Sequence, residues 1–174
     1  RTQSRGGRGV NAQNLKEEDY VKSLTIASTH DYMLFFTDLG RVHLRKGYQI
    51  PEAGRTARGT ALVHVLPLEP GESVTAMVIT RAFDDNEFLM MVTRKGTVKR
   101  IPFLALKTNR KAGIRAITLD EDDHLINVIR TNGSDNILLA TAQGMAICFN
   151  ENDVRPMGRD AAGVRGIMLT GDDV

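Results

Sequence analysis

The sequence has 174 residues, of which 41% are hydrophobic and 25% charged, and its formal net charge is +2. These proportions are typical of a folded domain, and so small a net charge does not by itself predict a nucleic-acid partner. No apolar run is long enough to cross a membrane, and the N-terminus lacks the apolar core of a signal peptide. The single cysteine, Cys148, lies in an apolar run, which predicts a buried residue in a reducing, cytoplasmic protein. Because the chain does not begin with Met, we expect a piece of a longer protein.

The N-terminal stretch 3–9 reads Gln-Ser-Arg-Gly-Gly-Arg-Gly. Glycine allows positive φ and a close approach of another backbone, and arginine offers a planar fork of donors that matches phosphate geometry. A flexible Arg/Gly linker is the alternative, and the polar stretch 11–19 that follows is the one helical candidate. We predict contacts with a sugar-phosphate backbone by six residues of this stretch: Gln3, Arg5, Gly6, Gly7, Arg8 and Gly9.

Two patterns then recur along the chain. Apolar strands that end in Thr-x-x-Gly, with the glycines at 40, 96 and 144, predict three hairpins with tight turns. Basic loops that end in glycine occur at 5–9, 55–59, 110–113 and 159–163, and acidic turns follow them at 17–19, 69–72, 120–123 and 171–173. Features kept in phase over repeats of roughly 50 residues predict propeller-like blades of four strands.

The repeats predict an all-β chain. We expect strands at 62–66, 74–80, 88–94 and 97–103 in one unit, and at 116–119, 124–130, 136–141 and 145–149 in the next. Residues 1–174 then form a single domain, with approximate repeats 1–54, 55–108 and 109–158 and the start of a fourth at 159–174.

Cations and acids occupy different phases of the repeat. Residues 93–115 contain eight cations and no acid, and residues 41–60 contain five cations and one acid. We therefore predict a curved basic rim, separated from the acids, that binds phosphates and bends a duplex. The alternative is a set of solvated strand edges protected against aggregation. The predicted contacts are Arg45, Lys46, Arg55, Arg58, Arg94, Lys95, Lys99, Arg100, Arg110, Lys111, Arg115, Arg159 and Arg165.

Residues 3–9 resemble the seven-residue box of DNA gyrase A, Gln-basic-Arg-Gly-Gly-basic-Gly, with Ser4 at a usually basic position. The stretches 29–31, 48–51, 52–59, 155–158 and 163–167 are also similar to the C-terminal domain of gyrase A, so the resemblance covers nearly the whole chain. It implies a six-bladed β-pinwheel whose blades exchange outer strands, of which this chain would form an open half-ring of about three four-stranded blades. The related C-terminal domain of topoisomerase IV lacks an intact box, which favours gyrase.

The resemblance implies sequence-neutral binding, bending and chiral wrapping of double-stranded DNA, in support of ATP-dependent negative supercoiling by a type IIA topoisomerase. The implied partners are DNA, the remaining domains of gyrase A, and gyrase B, with no membrane. A propeller-like platform for protein interaction is the alternative. Unpaired strand edges at the terminal blades further predict either dimerisation or frayed ends at 1–14 and 168–174.

No catalytic residue is expected in this chain. Tyr20, Tyr32 and Tyr48 follow Asp, Asp and Gly rather than the Arg that would precede a DNA-cleaving tyrosine, so we expect their hydroxyls to pack at strand ends. The histidines lack metal-ligand spacings, and there is no phosphate-binding Gly-x-x-x-x-Gly-Lys motif. We expect no metal and no cofactor here, with ATP and Mg bound by other domains of the enzyme.

Overall fold

The computed structural model describes residues 23–54 and 57–174. The predicted contacts at 3–9, the helical candidate at 11–19 and Arg55 lie outside them. The described strands are β1 (Tyr32–Thr37), β2 (Arg41–Lys46), β3 (Val74–Thr80), β4 (Phe88–Thr93), β5 (Thr97–Pro102), β6 (Ile114–Arg115), β7 (Leu125–Thr131), β8 (Asn136–Ala140), β9 (Ala146–Asn150) and β10 (Val164–Arg165). The described helices are single 3₁₀ turns at Gly47–Gln49, Leu62–His64, Phe103–Leu106 and Glu151–Asp153, and none of them could span a membrane.

The strands form two four-stranded antiparallel sheets and one separate hairpin. The sheet orders are β3-β1-β2-β6 and β10-β5-β4-β7, and β8 pairs with β9. In each four-stranded sheet, a central hairpin receives its outer strands from later in the chain, so each sheet combines strands from three predicted repeats. The all-β prediction is confirmed. Two of the three expected blades are four-stranded, and the third is a two-stranded hairpin within the described residues.

The central strands of the second sheet, β4 and β5, are buried on both faces. One apolar cluster joins this sheet to the first sheet and includes Phe36 on β1 and Met91 on β4, both fully buried. A second cluster joins Met90, on the opposite face of β4, to Ile137 of the third hairpin. This explains why β4 is apolar from Phe88 to Val92 instead of alternating with polar residues.

The turns of the first two hairpins lie against backbone from later in the chain. Gly40 has a φ of +77°, and its carbonyl accepts the amides of Ala116 at 2.8 Å and Ile117 at 3.2 Å. A Cβ on Gly40 would lie 2.7 Å from the carbonyl oxygen of Ile117, and one on Gly96 would lie 2.7 Å from that of Ile167. Glycine is therefore required here by both conformation and space.

Three local predictions are wrong. The stretch 62–66 contains a 3₁₀ turn, because the amides of Val65 and Leu66 both donate to the carbonyl of Leu62 instead of to a neighbouring strand. The stretch 116–119 forms no strand, since its first two amides donate to the first hairpin turn and pairing ends at β6. Cys148 is exposed, because it lies on β9, whose only described strand partner is β8.

Candidate nucleic-acid interface

Each four-stranded sheet has two chemically different ends. At one, which we call the hairpin-turn end, a Thr-x-x-Gly turn contacts the acidic turn that follows it, as in the 3.0 Å hydrogen bond from the amide of Asp38 to the carbonyl of Ser73. At the other, the basic-loop end, the second strand of the hairpin lies beside the basic loop that precedes β6 or β10. There the guanidinium of Arg45 donates to the carbonyl of Lys111 at 2.9 Å.

The last acid of each described acidic turn is buried and binds a hairpin turn. Glu72 accepts a 3.0 Å hydrogen bond from the hydroxyl of Thr37. Asp123 and Asp173 accept the amide two residues after the hairpin threonine, at 3.0 and 2.9 Å, and a hydrogen bond from Thr141 lowers the pKa of Asp173. The regular spacing of these acids therefore has a structural cause, which is the attachment of the turns.

Cations and acids are mixed at the hairpin-turn end. The Nζ of Lys95 donates to the carbonyl of Glu121, and Asp120 and Asp123 line a cavity of about 330 Å³ beside it. The predicted separation of cations from acids is therefore wrong at this end. Four of the predicted DNA contacts lie here: Arg94, Lys95, Arg115 and Arg165.

Lys99 supports the fourth basic loop (159–163) from inside the fold. Its side chain is fully buried, and its Nζ donates to the carbonyls of Ala116, Arg159 and Ala161 at 2.7, 2.8 and 3.0 Å. The three N–H groups of the ammonium are thus all used. Burial lowers the pKa of Lys99 to about 8. The residue joins β5 to the loop and to the segment after β6.

Arg100 also binds within the fold. It is 4% exposed, and its Nε lies 3.1 Å from Oε2 of the fully buried Glu151. The guanidinium carbon lies 3.9 Å from the ring centroid of Phe88. Burial opposes the charge on Glu151, but hydrogen bonds from Thr131 and two backbone amides, together with Arg100, lower its pKa overall.

Two arginines of β2 support the third basic loop (110–113). Arg45 is 9% exposed and donates to the carbonyl of Lys111 at 2.9 Å, while Arg41 donates to the carbonyl of Ala112 at 2.6 Å. These bonds correspond to those that Lys99 makes with the fourth loop. We therefore reassign Lys99, Arg100 and Arg45 from DNA contacts to internal supports, because their cationic groups bind partners inside the fold.

Other predicted contacts remain accessible. Lys46 is half-buried, with its Nζ 3.4 Å from the ring centroid of Tyr32, and Arg159 is half-buried as well. Exposed side chains in the second and third basic loops are those of Arg58, Arg110 and Lys111. The prediction that the hydroxyl of Tyr48 packs at a strand end is wrong, because Tyr48 is 64% exposed beside the third basic loop. The predicted contacts outside the described residues are Gln3, Arg5, Gly6, Gly7, Arg8, Gly9 and Arg55.

The family model described as "DNA gyrase C-terminal domain, beta-propeller" matches residues 1–28, 31–81, 87–132 and 135–174. The chain belongs to the DNA gyrase C-terminal domain family. The DNA gyrase A protein of Clostridium acetobutylicum is 49% identical over 165 residues, or 95% of this chain and 20% of that protein. The gyrase A protein of Salmonella typhimurium is 46% identical over 171 residues, or 98% of this chain and 20% of that protein. The chain thus spans about one fifth of these relatives.

Solved structures agree with the assignment to the gyrase C-terminal domain family. The C-terminal domain of DNA topoisomerase IV superimposes with a TM-score of 0.77 and 29% identity, over 83% of this chain and 45% of that one. The DNA gyrase A C-terminal domain gives a TM-score of 0.68 over 84% of this chain and 46% of that one. At 23% identity, this second likeness concerns the fold alone.

Proposed function

We propose that this chain binds duplex DNA through the phosphate backbone, without reading base sequence, and bends it. In gyrase, this binding would wrap DNA with one chirality and support ATP-dependent negative supercoiling in the cytoplasm. The partners would be DNA, the remaining domains of gyrase A, and gyrase B. DNA cleavage and the use of ATP and Mg would belong to other domains.

The observation that carries the proposal is the third basic loop together with the residues just before it. Lys107, Arg110 and Lys111 are all exposed, and none of them makes an ion pair within the described residues. Hydrogen bonds from the guanidinium groups of Arg41 and Arg45 hold the loop carbonyls. Cations on a fixed backbone attract phosphates and release their counterions, which favours binding regardless of sequence.

The secondary structure supports contacts with the backbone rather than with bases. The described residues form strands and single 3₁₀ turns, so this part of the chain offers no recognition helix for the major groove. A basic loop lies beside each four-stranded sheet, and we expect a duplex that contacts more than one of them to bend. The energy of such bending is compensated by the additional phosphate contacts.

Competition between unrelated duplexes of equal length tests the proposal, with fluorescence anisotropy of a labelled duplex as the readout. We expect equal competition, and a fall of log K with log salt at a slope of about −0.9 per neutralised phosphate. A strong preference for one sequence would contradict the proposal. Failure to bind DNA at low salt would favour the protein-interaction alternative.

A further inference from the structure

A groove of about 280 Å³ separates the end of β2 and its 3₁₀ turn from the third basic loop. Lys46 and Tyr48 line it from one side, and Arg110 and Lys111 line it from the other. The largely buried Arg45 also lines it, and none of its described lining residues is acidic. A concave surface with three accessible cations and no acid is suited to a phosphate group.

The side with Tyr48 is fixed by local hydrogen bonds. The amide of Tyr48 donates to the carbonyl of Thr29 at 2.8 Å, and that of Gly47 donates to the carbonyl of Asp31 at 2.9 Å. Asp31 is itself 8% exposed and accepts the amide of Ser28 at 2.7 Å. These bonds fix the backbone at Tyr48, and the phenol of this residue is exposed to solvent beside the cations. Tyrosine hydroxyls are among the groups that donate to phosphate oxygens in protein–DNA complexes.

The opposite side is held just as firmly. Besides the bonds from Arg41 and Arg45, the amide of Arg110 donates to the hydroxyl of Thr108 at 3.1 Å, and that of Gly113 donates to the carbonyl of Arg110 at 3.2 Å. Because both sides are ordered before a ligand arrives, little backbone entropy is lost on binding.

We call the contact between β2 and the third basic loop the first junction, and the contact between β5 and the fourth basic loop the second junction. The second junction lacks most of this chemistry. Counted from the hairpin glycines Gly40 and Gly96, and from the loop glycines Gly113 and Gly163, each groove residue has a counterpart at the second junction. The counterparts of Arg45, Lys46, Tyr48, Arg110 and Lys111 are Ile101, Pro102, Leu104, Asp160 and Ala161. All five are uncharged or acidic, and Arg159, the counterpart of Asn109, is the accessible cation that the second junction keeps, next to Asp160.

We propose that this first-junction groove seats a phosphodiester group of duplex DNA, that Tyr48 donates to it, and that the second junction has no such site. The inference rests on the proposed function and deepens it. Phosphate contacts in the described blades are then concentrated at one place instead of spread evenly along a rim.

Two matched double variants test the inference. Arg110→Asp with Lys111→Ala installs the second-junction residues, and Arg94→Asp with Lys95→Ala makes the same change in charge at the hairpin-turn end. All four side chains are exposed, so both variants should fold, which circular dichroism would verify. We expect the first double variant to weaken binding of a linear duplex at least about tenfold and to make the salt slope shallower by about 1 to 2. The second should change the slope by less than half as much.

Tyr48→Leu, which installs the counterpart residue Leu104, tests the uncharged contact. We expect weaker binding by a few fold at an unchanged salt slope, because a neutral hydrogen bond releases no counterion. Equal losses in the two double variants, or wild-type affinity for Tyr48→Leu, would overturn the inference while leaving DNA binding intact. If the wild-type chain does not bind the duplex, the proposed function fails as well.

Discussion

The two junctions between a hairpin strand and a basic loop use different residues for the same task. At the first, Arg41 and Arg45 hold the loop carbonyls, and the buried His43 makes no hydrogen bond from either ring nitrogen within the described residues. At the second, Lys99, the counterpart of His43, holds the loop through its ammonium, and the hydroxyl and amide of Thr118 donate to the loop carbonyls of Asp160 and Ala161. The comparison teaches that a cation beside a basic loop can serve the loop's backbone instead of a ligand, and that its burial distinguishes the two roles.

Replacement of Lys99 should have the largest effect on stability. Lys99→Met keeps the length of the side chain but removes the ammonium donor from the carbonyls of Ala116, Arg159 and Ala161, of which that of Ala161 keeps the amide of Thr118. Because unsatisfied buried acceptors are costly, we expect the free energy of unfolding to fall by about 3 kcal/mol or more. Urea denaturation near neutral pH would measure it. Lys107→Met, which replaces an exposed lysine, is the control and should change stability little. Equal losses of unfolding free energy in the two variants would contradict the structural role of Lys99.

Replacement of His43 at the first junction should have a smaller effect on stability, and this effect should depend on pH. Burial, followed by the charge of Arg41, lowers the pKa of His43 below its ordinary value of 6.5. The unfolded chain therefore binds a proton at a higher pH than the folded chain, and stability falls as the pH drops below about 6.5. His43→Leu removes this contribution. As the pH is lowered from about 7 to about 5, the free energy of unfolding of the variant should therefore rise relative to that of the wild type. A difference in unfolding free energy that does not change with pH would contradict this account of the first junction.

Much of the fold could be predicted because its signals are local. The stretch 74–80 coincides with β3, the hairpin strands β4, β5 and β8 each end one residue before the predicted end, and β9 is shifted by one residue from 145–149. Turn glycines and short apolar runs determine these hairpins, and both signals lie within the sequence of the hairpin itself. The stretches 62–66 and 116–119 depended instead on where distant strands end, and no local pattern contains that information.

The candidate site was harder to predict, because charge does not reveal burial. Lys99 and Arg100 stand in a run of cations that resembles a solvated strand, yet the sheet around them is covered on both faces. An alignment of the repeats on their hairpin glycines would have placed Lys99 opposite His43 and Tyr48 opposite Leu104. From the spacing of the acidic turns, we predict only that acids lie away from a DNA-binding surface. In the structure, Glu72 and its equivalents Asp123 and Asp173 bind the hairpin turns, which the spacing alone does not reveal.

Hydrogen exchange of the chain with and without a saturating duplex tests the central claim, which is that DNA binds at the basic-loop end. We expect bound DNA to slow exchange at 47–49 and 108–112, which line the first-junction groove, and to leave the hairpin turns at 38–40 and 94–96 unchanged. Slower exchange at the hairpin turns, with no change in the third basic loop, would contradict the account.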